Sequence, residues 1–320
     1  MQVVVDRYIP FVQDALRETG AEVIALEPDR ITRESLRDAD ALLVRTRTRV
    51  DEALLEGTRV RFAATATIGT DHIDGAYLAQ RGIAWASAPG CNAQAVCDYV
   101  EEGIDEYMAM RPTAVPTIGI IGCGHVGSKV QAMAERKGMR ALVSDPPKGY
   151  MTDIKEIAEQ ADILTFHTPL TREGEHRTWH LCDGDLLARC KPNALIINAA
   201  RGGVVDEKAL LEAHRQKDIA YILDTWEGEP QVDRAVLDGA FGASFHIAGY
   251  SLEGKINASQ QVLDAFCGFF GLKPCIIDKK AVSLQTHSGD TEHGWLQRIT
   301  TVLKARPEQF ETLRKNYALR

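Results

Sequence analysis

Several things are missing from this 320-residue chain, and each absence narrows what it does. No apolar run approaches the ~18 residues that a bilayer-spanning helix needs, so no membrane partner is expected. The opening stretch, MQVVVDRYIPF, lacks the basic-then-apolar form of a secretory leader. The seven cysteines (91, 97, 123, 182, 190, 267, 275) are odd in number and scattered, and no CxxC occurs. Their spacing to the histidines fits no zinc site, so no metal is expected, and free thiols in a reducing cytoplasm are the simplest reading. Positive charge is also in deficit: 37 Lys and Arg stand against 45 Asp and Glu, a net charge of −8. That argues against nucleic acid as a partner, and an anionic substrate has to be met by a local basic pocket. There is no internal repeat and no low-complexity tract.

What is present is ordinary for a globular protein, 45% hydrophobic and 26% charged, with a length that suggests two domains. Residues 117–145 organise the rest. Ile118–Ile121 reads as a buried strand that breaks at Gly122-Cys123-Gly124-His125-Val126-Gly127. Val130, Met133 and Ala134 then recur at helical spacing, Gly138 is a stop signal, and Ala141–Val143 is a second strand ending at Asp145. Strand, G-x-G-x-x-G, helix, strand and acid together predict a dinucleotide site. Gly122 allows the tight turn, Gly124 lets the backbone approach a pyrophosphate, and Gly127 lets the helix pack on the strand. Asp145, 18 residues after Gly127, is placed to hold the ribose hydroxyls and to repel a 2′-phosphate, which favours NAD over NADP.

On both sides of this unit strands alternate with helical patterns, which predicts parallel sheets with helices on both faces. Strands are expected at 2–5, 21–26, 41–44, 60–66, 83–86, 163–167, 195–198 and 221–223. Helices are expected from Tyr8 to a stop at Gly20, at 33–39, 73–80, from about 98 to 110, and at 154–159, 205–215 and 252–270. The last 45 residues differ in style. Trp295, Leu296, Ile299, Val302 and Leu303 make one helical stripe, and Pro307 opens a second helix carrying Phe310, Leu313 and Tyr317. Two short amphipathic helices fit a dimerisation appendage or a tail folded onto its own subunit.

Three segments at strand ends carry candidate chemistry. Arg201, in Asn198-Ala199-Ala200-Arg201-Gly202-Gly203, has the guanidinium fork that suits a carboxylate, among small residues that let a ligand approach. In Asp224-Thr225-Trp226-Glu227-Gly228-Glu229-Pro230, Glu227 and Glu229 compete for the role of orienting a histidine. His246, in Phe245-His246-Ile247-Ala248-Gly249-Tyr250, is the candidate general base. Earlier, Arg45-Thr46-Arg47-Thr48-Arg49 is either an anion site, with phosphate the natural ligand, or a basic solvent edge. The hydroxyl-rich loop from Thr65 through Thr67 to Asp71 offers backbone N–H groups to a carboxylate.

TATIGTDHID, SAPGCNAQAV, IGIIGCGHVG, FHTPL, INAARGGVVD, DTWEGEP and HIAGYSLEGK occur in this order over residues 1–275. In this the chain resembles the D-2-hydroxy-acid dehydrogenase family. LLVRTRTRV, SDPP, WEGEP, HIAGYSLEGK and FETLRKNY are similar to members that act on a small phosphorylated 2-hydroxy acid. The resemblance implies two Rossmann-like doubly wound parallel-sheet domains with a cleft between them, plus a short C-terminal helical appendage. The substrate domain is then 1–95 with a return at 250–275, the NAD domain is 96–249, and 276–320 is a dimerisation segment of a homodimer. It implies that Arg201 binds the substrate carboxylate and that His246 exchanges the proton with Glu229 as its partner. It implies NAD contacts from His125, Val126, Asp145, Thr168, Asp224 and Gly249 beside the three glycines. Thr46, Thr67 and Tyr250 would touch substrate, with Arg45 towards its phosphate. The tail is shorter and the 98–110 helix more acidic than the resemblance leads one to expect. Two alternatives stay open: a dehydrogenase for another D-2-hydroxy acid such as 3-phosphoglycerate, and a non-catalytic NAD-sensing binding protein.

Overall fold

The computed structural model describes residues 1–277 and 294–318. The described chain divides into two compact units. The first holds Met1–Asn92 and the described residues 250–277, and the second holds Ala93–Gly249 and the described residues 294–318.

The first unit is built on five parallel strands: β1 Gln2–Asp6, β2 Glu22–Leu26, β3 Ala41–Val44, β4 Phe62–Thr65 and β5 Ala84–Ala86. Their order is β2-β1-β3-β4-β5, so the chain reverses direction across the sheet between β1 and β3. β3 and β4 are buried along their whole length, as strands covered on both faces must be. The period of two sends Val3, Val5 and Leu43 into one core layer and Val4, Leu42 and Val44 into the other. The Leu252–Phe270 helix closes the first layer with Val262, Leu263 and Phe266.

Two expected helices differ here. The first begins at Val12, not Tyr8, because Phe11 takes a left-handed φ of 64° and Tyr8 stays exposed. No helix forms over 33–39. The chain makes a 3-10 turn at Pro28–Arg30 and then successive turns. There the Ser35 hydroxyl accepts the Thr32 N–H at 2.9 Å and donates to the Thr32 carbonyl at 2.8 Å, competing with helical bonding. Leu36 and Ala39 still reach the core, so the apolar spacing is satisfied without a helix.

The second unit has seven strands: β6 Thr117–Ile121, β7 Arg140–Asp145, β8 Tyr150–Met151, β9 Ile163–Phe166, β10 Leu195–Asn198, β11 Ala220–Leu223 and β12 Gly242–Ala243. Their order is β12-β11-β10-β9-β6-β7-β8, and only β8 runs antiparallel to its neighbour. The direction reverses between β6 and β9, the place where such sheets bind ligands beyond their strand ends. Asp153, Asp183, Asp206 and Asp233 cap the helices that follow them, each accepting a first-turn N–H.

The acidity of the Ala93–Met110 helix has a local cause. Glu101 pairs with Arg136 at 2.7 Å and Lys137 at 3.1 Å, and Asp105 with Lys137 at 2.9 Å, at the basic end of the His125–Arg136 helix. The helix Trp295–Ala305 lies on this unit's own β12 edge. Leu296 and Leu303 are fully buried, and the Thr300 hydroxyl accepts the Ala243 N–H at 2.8 Å.

Candidate active site

The glycine turn sits at the β6/β9 switch point. Gly122 has φ 89°, and a side chain there would meet the His167 carbonyl at 2.9 Å. A Cβ on Gly127 would lie 2.0 Å from the Gly122 carbonyl oxygen, so this close approach of helix to turn admits only glycine. At Gly124 the space is open: a Cβ would meet nothing nearer than Lys148 Nζ at 3.8 Å. The helix His125–Arg136 has Gly124 as its N-cap and no side-chain cap, so its first N–H groups remain for an anion. Thr168, one residue beyond His167, has a buried Oγ1 with no partner among the described residues. Asp145 Oδ2 accepts the Cys123 N–H at 2.7 Å, which fixes the carboxylate at the end of β7. His125 is exposed and Val126 half-buried beside it. Open glycine, uncapped helix start, orphaned hydroxyl and fixed acid fit a dinucleotide.

The second cluster gathers at the C-terminal ends of β10, β11 and β12. Arg201 follows β10. Asn198 braces its turn, donating to the Arg201 carbonyl at 2.9 Å and accepting the Ala200 N–H at 3.1 Å. The Arg201 guanidinium donates to the Ala200 carbonyl at 2.8 Å. A Cβ on Gly202 would fall 1.9 Å from the Trp226 carbonyl oxygen, so the arginine turn and the acidic loop lie backbone to backbone.

In that loop the two glutamates separate. Glu229 Oε1 lies 2.6 Å from His246 Nδ1, and Glu227 Oε2 lies 3.1 Å from His180 Nε2. Burial alone pushes the Glu229 carboxyl up. The hydrogen bond to His246, the His246 charge, the Trp226 N–H and Arg314 outweigh it and hold the group below the ordinary glutamate value. His246 has φ 59°, a left-handed conformation that costs a non-glycine residue about 1 kcal/mol. Its N–H donates to the Asp224 carbonyl at 2.8 Å. Asp224 is 1% exposed, and its carboxylate accepts from Ser244 Oγ at 2.6 Å, Ile247 N at 2.7 Å and Ala248 N at 3.0 Å. It therefore moulds the loop that ends at the half-buried Gly249 and presents His246.

Sequence reasoning gave no role to Glu207, whose Oε1 accepts the Glu227 N–H at 2.5 Å. It also missed His180, and Ser244 with its partner Tyr99 at 2.8 Å. These act through contacts 20 to 145 residues apart in sequence, which no local spacing reveals.

The first unit carries the remaining candidates, at its own β1/β3 switch point. Arg45 follows β3 and grips Asp6, at the end of β1, through Nε at 2.9 Å and Nη2 at 3.3 Å. Thr46 is exposed next to it. Thr67 donates to the Gly69 carbonyl at 3.0 Å and contacts Thr65 Oγ1 at 2.8 Å. Tyr250 is half-buried at the start of the returning chain, with the Lys255 ammonium 5.8 Å from its ring centroid. Among the described residues no cluster of His, Cys, Asp and Glu is arranged to hold a metal, and the seven cysteines are free.

Comparison with known proteins agrees with this geometry. The D-isomer specific 2-hydroxyacid dehydrogenase NAD binding domain matches residues 93–240. An erythronate-4-phosphate dehydrogenase of Bacteroides thetaiotaomicron is 41% identical, over 100% of this chain and 97% of its own. One of Salmonella arizonae is 39% identical, over 99% and 91%. Among solved structures, the NAD⁺-bound 3-phosphoglycerate dehydrogenase of Entamoeba histolytica superposes with a TM-score of 0.70 at 27% identity, over 87% of this chain and 99% of that one. With a glycine turn, an arginine turn and a Glu–His pair on a doubly wound sheet, and relatives this similar from end to end, the chain belongs to the D-isomer specific 2-hydroxyacid dehydrogenases and, within them, to the erythronate-4-phosphate dehydrogenase family.

Proposed function

We propose that this chain oxidises 4-phospho-D-erythronate at C2 to 2-oxo-3-hydroxy-4-phosphobutanoate, with NAD as oxidant, in the synthesis of pyridoxal 5′-phosphate. The observation that carries the reading is the 2.6 Å contact between His246 Nδ1 and Glu229 Oε1, one loop away from Arg201. Glu229, held ionised, accepts a hydrogen bond from Nδ1–H. That fixes the imidazole tautomer and leaves Nε2 to take the C2 hydroxyl proton as the C2 hydrogen departs with its electron pair. The imidazolium that forms is stabilised by the same carboxylate. Arg201 holds the substrate carboxylate, aided by Thr67 and the backbone to Gly69. Thr46, Arg45 and Tyr250 meet the phosphate-bearing end. NAD, when bound, supplies the hydride acceptor. Gly122, Gly124, His125, Val126, Gly127, Asp145, Thr168, Asp224 and Gly249 are the residues that hold it.

The test is NAD reduction with 4-phospho-D-erythronate and 3-phospho-D-glycerate side by side. Preference for the first is expected. Preference for the second overturns the substrate while leaving the chemistry, and no turnover in protein that binds NAD favours a binding role. Arg201→Ala is expected to cut kcat/KM by roughly 10²-fold or more, since a charged contact to the reacting acid is lost. Near-normal turnover sinks the role given to Arg201. The working form is taken to be a cytoplasmic homodimer, and the free cysteines are in keeping with the compartment. Sedimentation that gives the 35.2 kDa chain mass at working concentration removes the dimer.

A further inference from the structure

The arginines after β3 are the obvious partners for a substrate phosphate, but the structure shows two of them already paired with carboxylates. Arg45 is held by both oxygens of Asp6, a carboxylate with no exposure at all. Arg49 pairs with Asp51 at 2.8 Å. The unbalanced cation of this corner is Lys255. Its ammonium makes no hydrogen bond or ion pair among the described residues and faces the Tyr250 ring at 5.8 Å. The residue is solvent-accessible, yet desolvation and then repulsion from Arg45 hold its pKa below the ordinary lysine value. Lys255 also stands in the first turn of the Leu252–Phe270 helix, where the macrodipole disfavours a cation. Three unfavourable terms thus meet at one side chain, and the attraction of a dianion beside it would offset them. A phosphate monoester carries a charge of about −1.5 to −2 at neutral pH, which matches Lys255 with Arg45 behind it better than a second carboxylate does.

We infer that Lys255 binds the phosphate of the substrate and is the residue that makes the enzyme select phosphorylated over unphosphorylated 2-hydroxy acids. Arg45, fixed by Asp6, adds a second positive charge at the same corner. The inference rests on the dehydrogenase reading above and adds to it the side chain that sets specificity.

Lys255→Gln and Lys255→Arg test it, with 4-phospho-D-erythronate, D-erythronate and inorganic phosphate as probes. Lys255→Gln is expected to raise KM for the phosphorylated acid roughly 10- to 100-fold, the range of one charge-assisted contact. At saturation kcat should stay within about threefold. The preference for the phosphorylated acid and the inhibition by inorganic phosphate should fall by the same factor, and Lys255→Arg should restore most of both. Without ligand the Gln variant should melt no lower than the wild type, because a repulsion is removed. A KM within about twofold of wild type, or an equal loss with both acids, overturns the assignment. Inorganic phosphate separates the two readings. If the wild type prefers 3-phospho-D-glycerate, the substrate falls, but loss of phosphate inhibition in Lys255→Gln still supports Lys255. If phosphoerythronate is oxidised and phosphate inhibition survives the change, Lys255 falls alone.

Discussion

At the scale of single residues, two glutamates a few ångströms from one loop are pushed in opposite directions. Glu229 is held low by its histidine, whereas burial, and then the charges of Glu227, Asp233 and Glu229, raise Glu207 to about 7 despite the Glu227 N–H it accepts. Glu207 is 7% exposed, so water does little to relieve it. Its unfolded value is near 4.5. A raised folded pKa means stability is fully present below 4.5 and is lost as pH rises through about 7. Glu207→Gln keeps an oxygen for the Glu227 N–H and cannot ionise. The variant should match the wild type at pH 4.5 and be more stable at pH 8 by up to about 3 kcal/mol. Urea melts at the two pH values check this, and a constant difference between the proteins refutes it. Residue identity alone did not reach this far. The residues of the Trp226–Pro230 segment offer two equivalent acids; the resemblance points to Glu229, and the fold sends Glu229 to His246 and Glu227 to His180.

Elements were legible in proportion to how much of their logic is local. Strand β6, the glycine turn, its helix and Asp145 span fewer than thirty residues, and the buried strands β3, β9 and β10 announce themselves as short apolar runs. The helices Gly184–Arg189 and Arg234–Gly239 and the two-residue strands β8 and β12 were not read: two residues show no period, and these two helices each bury only two residues, too few to mark a face. The 33–39 segment shows the opposite error: apolar spacing met by turns. The glycine turn also allows the roles of two glycines to be separated. Gly127→Ala forces a Cβ to 2.0 Å from the Gly122 carbonyl oxygen, so the helix must move and the unit should lose roughly 1–3 kcal/mol. Gly124→Ala meets nothing closer than 3.8 Å at a φ of −80°, so the protein without coenzyme should melt close to wild type. Its KM for NAD should nevertheless rise roughly tenfold or more, because the methyl occupies the space the pyrophosphate needs. Thermal melts and NAD kinetics on the two variants decide it. If Gly124→Ala binds NAD normally, the coenzyme does not approach across that glycine.

For the molecule as a whole the open question in the sequence was which surface the C-terminal stripe covers, since an amphipathic helix looks the same whether its apolar face meets its own chain or another. The structure buries Leu296, Thr300 and Leu303 against the second unit and leaves Val302 40% exposed. Space for Leu296 comes from small residues. Side chains on Gly242 or Gly103 would meet its Cδ2 at 2.7 Å and 3.5 Å. Glu106 Oε1 accepts the Leu296 N–H at 3.0 Å, and Lys304 Nζ donates to the carbonyls of Ala240 at 2.8 Å and Asp238 at 3.0 Å. These bonds tie the helix to the Ala93–Met110 helix and to the chain that leads into β12, so the appendage is part of the second unit's core as well as any subunit contact. Leu296→Ala should then destabilise the single chain by about 2–5 kcal/mol, the range for a leucine lost from a filled core site. Melting the variant and the wild type over a wide range of protein concentration separates the two roles. A fall in Tm that is the same at every concentration places Leu296 in its own subunit's core. A fall that appears only on dilution moves the helix to the interface between subunits.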